Sequence, residues 1–305
     1  MVDLVQYLVG GLTAGTLYGL VALGIVLLYR SSRVLNFAHG DLATLAAFVG
    51  FTLLLRRQPP TPFPIGPQTG WWSFLPAMAG ALLAGALAGA AFYFLIIRPV
   101  KEATLLGRIV VTLGLALAIN GLVVLVWGAD TKVFPFPLSD VRVYRLGGVV
   151  ISQLSLGLTT AGLLLVALLY LLVQRTRVGL AMRAVAQDLT AAQALGIPSR
   201  RIFALTWGLA GMLAAAAGIL AAPVTLLTPF MMLDPFLKGF AAAVLGGMDS
   251  LPGAVLGGWL LGLAESLFAG YISFKFKTTL AFLIIILTLM LRPEGLLGRE
   301  YRRRV

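Results

Sequence analysis

Of the 305 residues, 60% are hydrophobic and only 11% are charged, whereas soluble domains carry about 25% charged side chains. A mean hydropathy of +0.98 excludes an ordinary water-soluble domain. No cysteine is present, which removes disulfides, thiol nucleophiles and zinc–thiolate sites, and the single histidine, His39, rules out a multi-histidine metal cage within this chain. The net charge of +12 is the signature of basic loops that set membrane orientation, not of nucleic-acid binding.

Charge-free stretches at 4–29, 75–97, 109–127, 146–173 and 202–233 are each near or above the ~20 residues that a helix needs to cross the hydrocarbon core. They predict an all-α polytopic membrane protein, a bundle of about eight to ten transmembrane segments. Asp3 follows Met1 where a signal peptide would be basic, so the first stretch is expected to be a retained helix. The chain then crosses at 42–55, 75–97, 109–127, 146–173, 202–222, 236–248, 252–272 and 278–291. Two of these are short: 42–55 and 236–248 reach only about 20 Å at 1.5 Å per residue. Each adjoins a break, Asn36–Asp41 and Gly246–Gly253, and broken or re-entrant helices are expected there. Irregular backbone at membrane depth survives only against protein or a water-filled path, so the breaks are the first candidates for a translocation route. Interfacial turns are the plainer reading.

With the amino terminus outside, the inner connections hold Arg30, Arg33, Arg98, Lys101, Arg108, Arg175, Arg177, Arg183, Arg200, Arg201, Arg292, Arg299, Arg302, Arg303 and Arg304, 15 of the 23 basic residues. This sense places the carboxyl terminus in the cytoplasm. The connections 30–41, 56–74, 98–108, 128–145, 174–201, 223–238 and the tail 292–305 are too short for a nucleotide-binding fold. No GxxxxGK[ST] occurs. The chain is one transmembrane domain, 1–305, with 174–201 as a cytoplasmic loop inside it, and its energy comes from an ion gradient or another chain.

Small residues recur every fourth position at Gly11–Gly15–Gly19, Gly85–Gly89 and Gly258–Gly262, the spacing that lets helix backbones approach in lipid. It predicts a compact bundle and is compatible with pairing to a second membrane subunit. Four polar residues are candidates for the substrate path: Asn36, His39, Asp249 and Glu265. Glu265 sits deep in an apolar helix, where a carboxylate demands a reason; it is either on the path, with or without a proton, or hydrogen-bonded structurally to a neighbouring helix. His39 could relay protons or gate, or make local hydrogen bonds at its break. Asp249 faces a cavity or closes a turn. Asp234–Pro235 predicts a helix start with the aspartate as cap, and Asn120 is expected to cross-link helices. In the 174–201 loop, Asp188 caps a predicted short helix from Leu189, Gly196 takes the left-handed position past its end and Pro198 stops it. Ala191, Ala192, Ala194, Leu195 and Ile197 make that helix apolar, fit for a groove on another protein or for the membrane surface.

Four blocks in order, LNFAHGD (35–41), RVGLAMRAVAQDLTAAQALGIP (177–198), AAAVLGGMDSLPGAVLGG (241–258) and LRPEGLLG (291–298), resemble the permease subunit of bacterial branched-chain amino acid ABC importers, most closely its H-type. The resemblance implies a location in the cytoplasmic (inner) membrane, an M-type second permease, two ATP-binding subunits that carry ATP and magnesium, and an extracytoplasmic solute-binding protein. It implies no cofactor or catalytic residue in this chain. It also makes the loop the coupling element, with Arg183, Asp188, Ala191, Ala192, Leu195, Gly196, Arg200 and Arg201 meeting the ATPase. Related permeases carry Glu-Ala-Ala-x-x-x-Gly there; this chain has Thr190-Ala191-Ala192 and Gly196, so a salt bridge from position 190 is lost while the docking shape is kept. The alternatives are a secondary transporter driven by an ion gradient, or a permease of the same kind for urea, amides or other amino acids.

Overall fold

The computed structural model describes residues 2–56, 70–99, 104–146 and 148–298. Lys101, Arg299, Arg302, Arg303 and Arg304, assigned above to the inner side, lie outside these residues. Among the described residues, eleven α-helices and one hairpin follow in order: α1 Val2–Ser32, α2 His39–Leu55, α3 Trp71–Phe92, α4 Leu105–Trp127, β1 Val143–Leu146, β2 Val149–Ser152, α5 Gln153–Arg175, α6 Arg177–Gln187, α7 Leu189–Ala194, α8 Ser199–Thr225, α9 Leu233–Gly246, α10 Leu251–Tyr271 and α11 Lys277–Leu291. A π-helical turn, Tyr93–Ile97, closes α3. Six of the described helices (α1, α3 with its π turn, α4, α5, α8 and α10) are long and apolar enough to cross a membrane; α2 and α11 are shorter apolar helices.

Side-chain caps explain several helix starts. The hydroxyls of Thr104, Ser152, Thr176 and Ser250 accept from the backbone N–H groups of Gly107, Ser155, Gly179 and Gly253 at 3.0–3.1 Å, which satisfies one of the free donors of each first turn. Pro252 follows in the first turn of α10, where a missing N–H costs nothing.

α1 is the axis of the molecule. In its most apolar stretch 83% of residues are buried, against 22% in α3, α4 and α5; the latter are apolar outside as well, as helices facing lipid are. α10, α8, α9 and α5 surround α1. The glycine ladder meets its complement inside the chain: Gly11 and Gly15 lie on the backbone of Gly262 and Gly258, and a Cβ at Gly15 would come within 2.7 Å of the Gly258 carbonyl oxygen. Gly85 and Gly89 meet Gly211 and Trp207 in the same way, between α3 and α8.

Four expectations are corrected. The span predicted from 146 begins at Gln153, because β1 and β2 pair as an antiparallel hairpin with Val143 opposite Ser152; Val150 exchanges hydrogen bonds of 2.7 and 2.9 Å with the Gln6 side chain at the start of α1. α8 runs through Pro223 to Thr225, which shrinks the 223–238 connection to 226–232. The 174–201 segment is a pair of helices rather than a loop with one, since the periodicity of α6 is hidden by its arginines. Asp234 is not a cap: it lies inside the first turn of α9, makes no capping bond and turns to Lys238.

The two short helices share a geometry. The His39 ring packs on Gly24, eight residues before the end of α1, so α2 starts about 12 Å inside that end of the bundle. α9 starts beside it. A Cβ at Gly40 would lie 3.0 Å from the Phe236 Cβ and 3.3 Å from the Met232 carbonyl oxygen. Two interrupted segments therefore meet by their amino-terminal ends at membrane depth, held by the aromatic rings of Phe37, Phe236 and Phe240.

Candidate translocation pathway and coupling site

The bundle has a basic end. Arg33 Nη1 pairs with Asp249 Oδ1 at 2.9 Å, joining the first break to the second. The carboxyl-terminal block folds over the same place: Leu296 and Leu297 donate to the carbonyls of Leu245 and Gly246 at 2.8 and 3.0 Å, closing the last turn of α9. Gly247 and Gly295, both at positive φ (105° and 78°), pack backbone to backbone there, where a Cβ would clash. Tyr29, Arg33, Asp249 and Glu294 line a polar cleft of about 490 Å³ at this end. Asp249 thus lines this cleft, partly exposed and paired with Arg33.

Glu265 has partners that its own helix does not reveal. Its Oε1 takes Lys238 Nζ at 2.6 Å and its Oε2 accepts from the Tyr18 hydroxyl at 2.8 Å. Lys238 is 1% exposed and also holds Asp234 Oδ2 at 2.7 Å, while Lys277 stands 3.7 Å from Glu265 and Thr278 donates to Asp234 at 3.2 Å. Four charges, two of each sign, tie α9, α10 and α11 to α1. Sequence reasoning placed Lys238 at the edge of a loop and missed it; the lone lysine in DPFLKGFAAAVLGG, four residues after Asp234, was the available signal.

At the first break, Asn36 Oδ1 accepts from the Ala38 N–H at 3.1 Å and turns the chain into α2. The Asn36 amide nitrogen and both His39 ring nitrogens are buried without a hydrogen-bond partner among the described residues. Asn120 does cross-link: its Nδ2 donates to Asp41 Oδ1 at 3.4 Å and to the Pro229 carbonyl at 3.0 Å. No group of three or more metal-ligating side chains occurs among the described residues.

The α6–α7 pair packs against α5, α8 and α1. Asp188 Oδ1 accepts from the Ala191 N–H at 2.9 Å, and Gly196 has φ +79°, so the cap and the stop fall where their residue types predict. Ala192 is buried and Leu195 is 81% exposed; Ala191, Gly196, Arg200 and Arg201 are exposed with it. Arg183 instead turns back, donating to the Gln174 side chain at 2.9 Å, which ties α6 to the end of α5.

Residues 7–291 match the family described as branched-chain amino acid transport system, permease component. The chain belongs to this family. The permease is 31% identical over 302 residues to the high-affinity branched-chain amino acid transport system permease protein LivH of Escherichia coli K12, covering 96% of this chain and 95% of that one. The corresponding BraD protein of Pseudomonas aeruginosa is 34% identical over 301 residues, with the same coverage. The probable permease LivH of Methanocaldococcus jannaschii is 28% identical over 310 residues, covering 96% and 92%. Among solved structures, PsaBC from Streptococcus pneumoniae in complex with Fab aligns with 96% of this chain and 93% of that chain, at a TM-score of 0.49 and 14% identity. The permease is a multi-pass inner-membrane subunit of an ABC importer and not itself an enzyme; the ATPase is a separate subunit.

Proposed function

We propose that this permease forms one transmembrane half of an importer that carries branched-chain amino acids into the cytoplasm, with the carboxyl terminus and the α6–α7 pair on the cytoplasmic side. The partners are an M-type permease, two ATP-binding subunits that hold ATP and magnesium, and an extracytoplasmic binding protein. The observation that carries this reading is the pairing of near-full-length family membership with a chain that has no phosphate-binding loop of its own.

The α6–α7 pair fits the role of coupling element. Its second helix, α7, is short and capped and displays Leu195 and Ala191 to solvent, an apolar face that suits a groove on another protein. Arg200 and Arg201 flank it and suit an acidic rim, whereas Arg183 serves the joint to α5. Closure of the ATPase pair would move this element and, through α5 and α8, tilt the bundle as a rigid body. Substrate then passes between the two permeases, beside the meeting ends of α2 and α9, where Asn36 and His39 lie. Glu265 fixes the α9 half-helix to the bundle, and Asp249 closes the cytoplasmic mouth with Arg33.

The experiment is reconstitution in vesicles with the partner subunits. Leucine, isoleucine and valine uptake should require ATP and the binding protein. Uptake by this chain alone, driven by a pH gradient, would overturn the reading.

A further inference from the structure

We propose that Asp41, Asn120 and the main-chain carbonyl of Pro229 form an ammonium-binding subsite that holds the α-amino group of an amino acid in transit. The proposal rests on the permease reading above and adds a subsite to it.

Asp41 lies in the first turn of α2, and α2 begins beside Gly24, well inside the bundle. Its partner Asn120 is seven residues, about 10 Å, from the carboxyl-terminal end of α4. Asp41 is therefore a carboxylate at membrane depth. Such a group is expensive there unless a cation or strong donors answer it. The other two carboxylates in this part of the bundle, Asp234 and Glu265, share Lys238. Asp41 has no cation partner among the described residues.

Its neutral partner makes the arrangement lopsided. Asn120 donates to Asp41 Oδ1 and to the Pro229 carbonyl, which draws the two acceptors together without neutralising the carboxylate. A carboxylate from α2 and a main-chain carbonyl from the 226–232 connection thus meet at one amide of α4. Two acceptors brought to one point, one of them charged, suit a compact cation with several N–H donors, and an ammonium has three. Asp41 and Asn120 are half-buried rather than sealed, and Phe230, next to the buried Pro229, is 64% exposed. Phe236 abuts Gly40, the residue before Asp41, and supplies an apolar wall near the site for a branched side chain.

The test uses the complete importer in proteoliposomes, with the binding protein and ATP. D41N should lower leucine uptake on the order of ten- to a hundredfold, the loss expected for one charge-assisted interaction, while ATP hydrolysis continues; D41E should restore part of the uptake. Because this chain has no cysteine of its own, D41C introduces its only thiol, and a membrane-impermeant methanethiosulfonate should label it in turning-over vesicles, more slowly when leucine is supplied in excess. Wild-type leucine uptake by D41N, or a D41C thiol that stays unreactive in every state, would overturn the subsite while leaving the permease reading intact. Uptake that depends on sodium in the wild type and loses that dependence in D41N would assign the site to an inorganic ion and overturn the proposal too. Wild-type vesicles that import no amino acid at all would sink the permease reading and the subsite together.

Discussion

Replacing Lys238 by methionine keeps the length of the side chain and removes the charge that lies 2.6 Å from Glu265 and 2.7 Å from Asp234. Asp234, half exposed, is hydrated in either case. Glu265 is not: it is buried, and its remaining partners are the Tyr18 hydroxyl and Lys277 at 3.7 Å. Breaking a buried pair by deleting one member costs about 3–5 kcal/mol. The partly exposed Lys277 returns at most ~1 kcal/mol, as surface-type pairs do, which puts K238M near 3 kcal/mol. E265Q should cost a similar amount, because Lys238 keeps only Asp234. In the double variant K238M/E265Q no buried charge is stranded, and its stability should fall within about 1 kcal/mol of either single variant. Reversible unfolding in mixed detergent micelles, followed by tryptophan fluorescence, measures all three. Additive losses, with a coupling energy under ~0.5 kcal/mol, would refute the claim that the pair acts as one buried unit.

Other expectations follow from the packing and the caps. G15V would force a branched side chain against the Gly258 carbonyl, and the helix pair α1–α10 should separate; loss of the monodisperse peak in size-exclusion chromatography is the readout, with surface-facing Gly114 as the control site. Exchanging Ala191 and Leu195 for aspartate should leave the bundle folded and ATP hydrolysis intact but uncoupled from uptake; unchanged coupling in the reconstituted importer would remove α7 from the docking role. D188A deletes the 2.9 Å capping bond of α7, worth about 1 kcal/mol, and should speed amide exchange over 189–194 without changing the melting temperature of the whole permease.

The long spans were legible because lipid imposes one rule, a charge-free run of sufficient length, and α1, α4 and α8 obey it. Capping chemistry was legible at α7 because Asp188, Gly196 and Pro198 act locally. What the sequence hid was whatever depends on distant partners. Lys238 looked like the edge of a loop because its counter-charge, Glu265, stands 27 residues away on another helix. The glycine ladder named its own spacing but not its partner, and α1 turned out to meet α10 of the same chain. Asp234 misled for a related reason: Asp-Pro is a helix-start signal, yet an adjacent lysine one turn on offered the carboxylate a stronger partner than the backbone. The hairpin at 143–152 was missed since its apolar residues join seamlessly to those of α5.

The closing of α9 by Leu296 and Leu297 has a bearing on how the molecule is made. The carbonyls of Leu245 and Gly246 obtain their donors from residues synthesised about fifty positions later, after α10 and α11 have entered the bilayer. The last turn of α9 therefore stays unfinished through nearly all of translation, and the 291–298 block acts as a seal on assembly. A ribosome that stops short of Leu296 releases a protein with all its spans but with the last turn of α9 left open at the basic end.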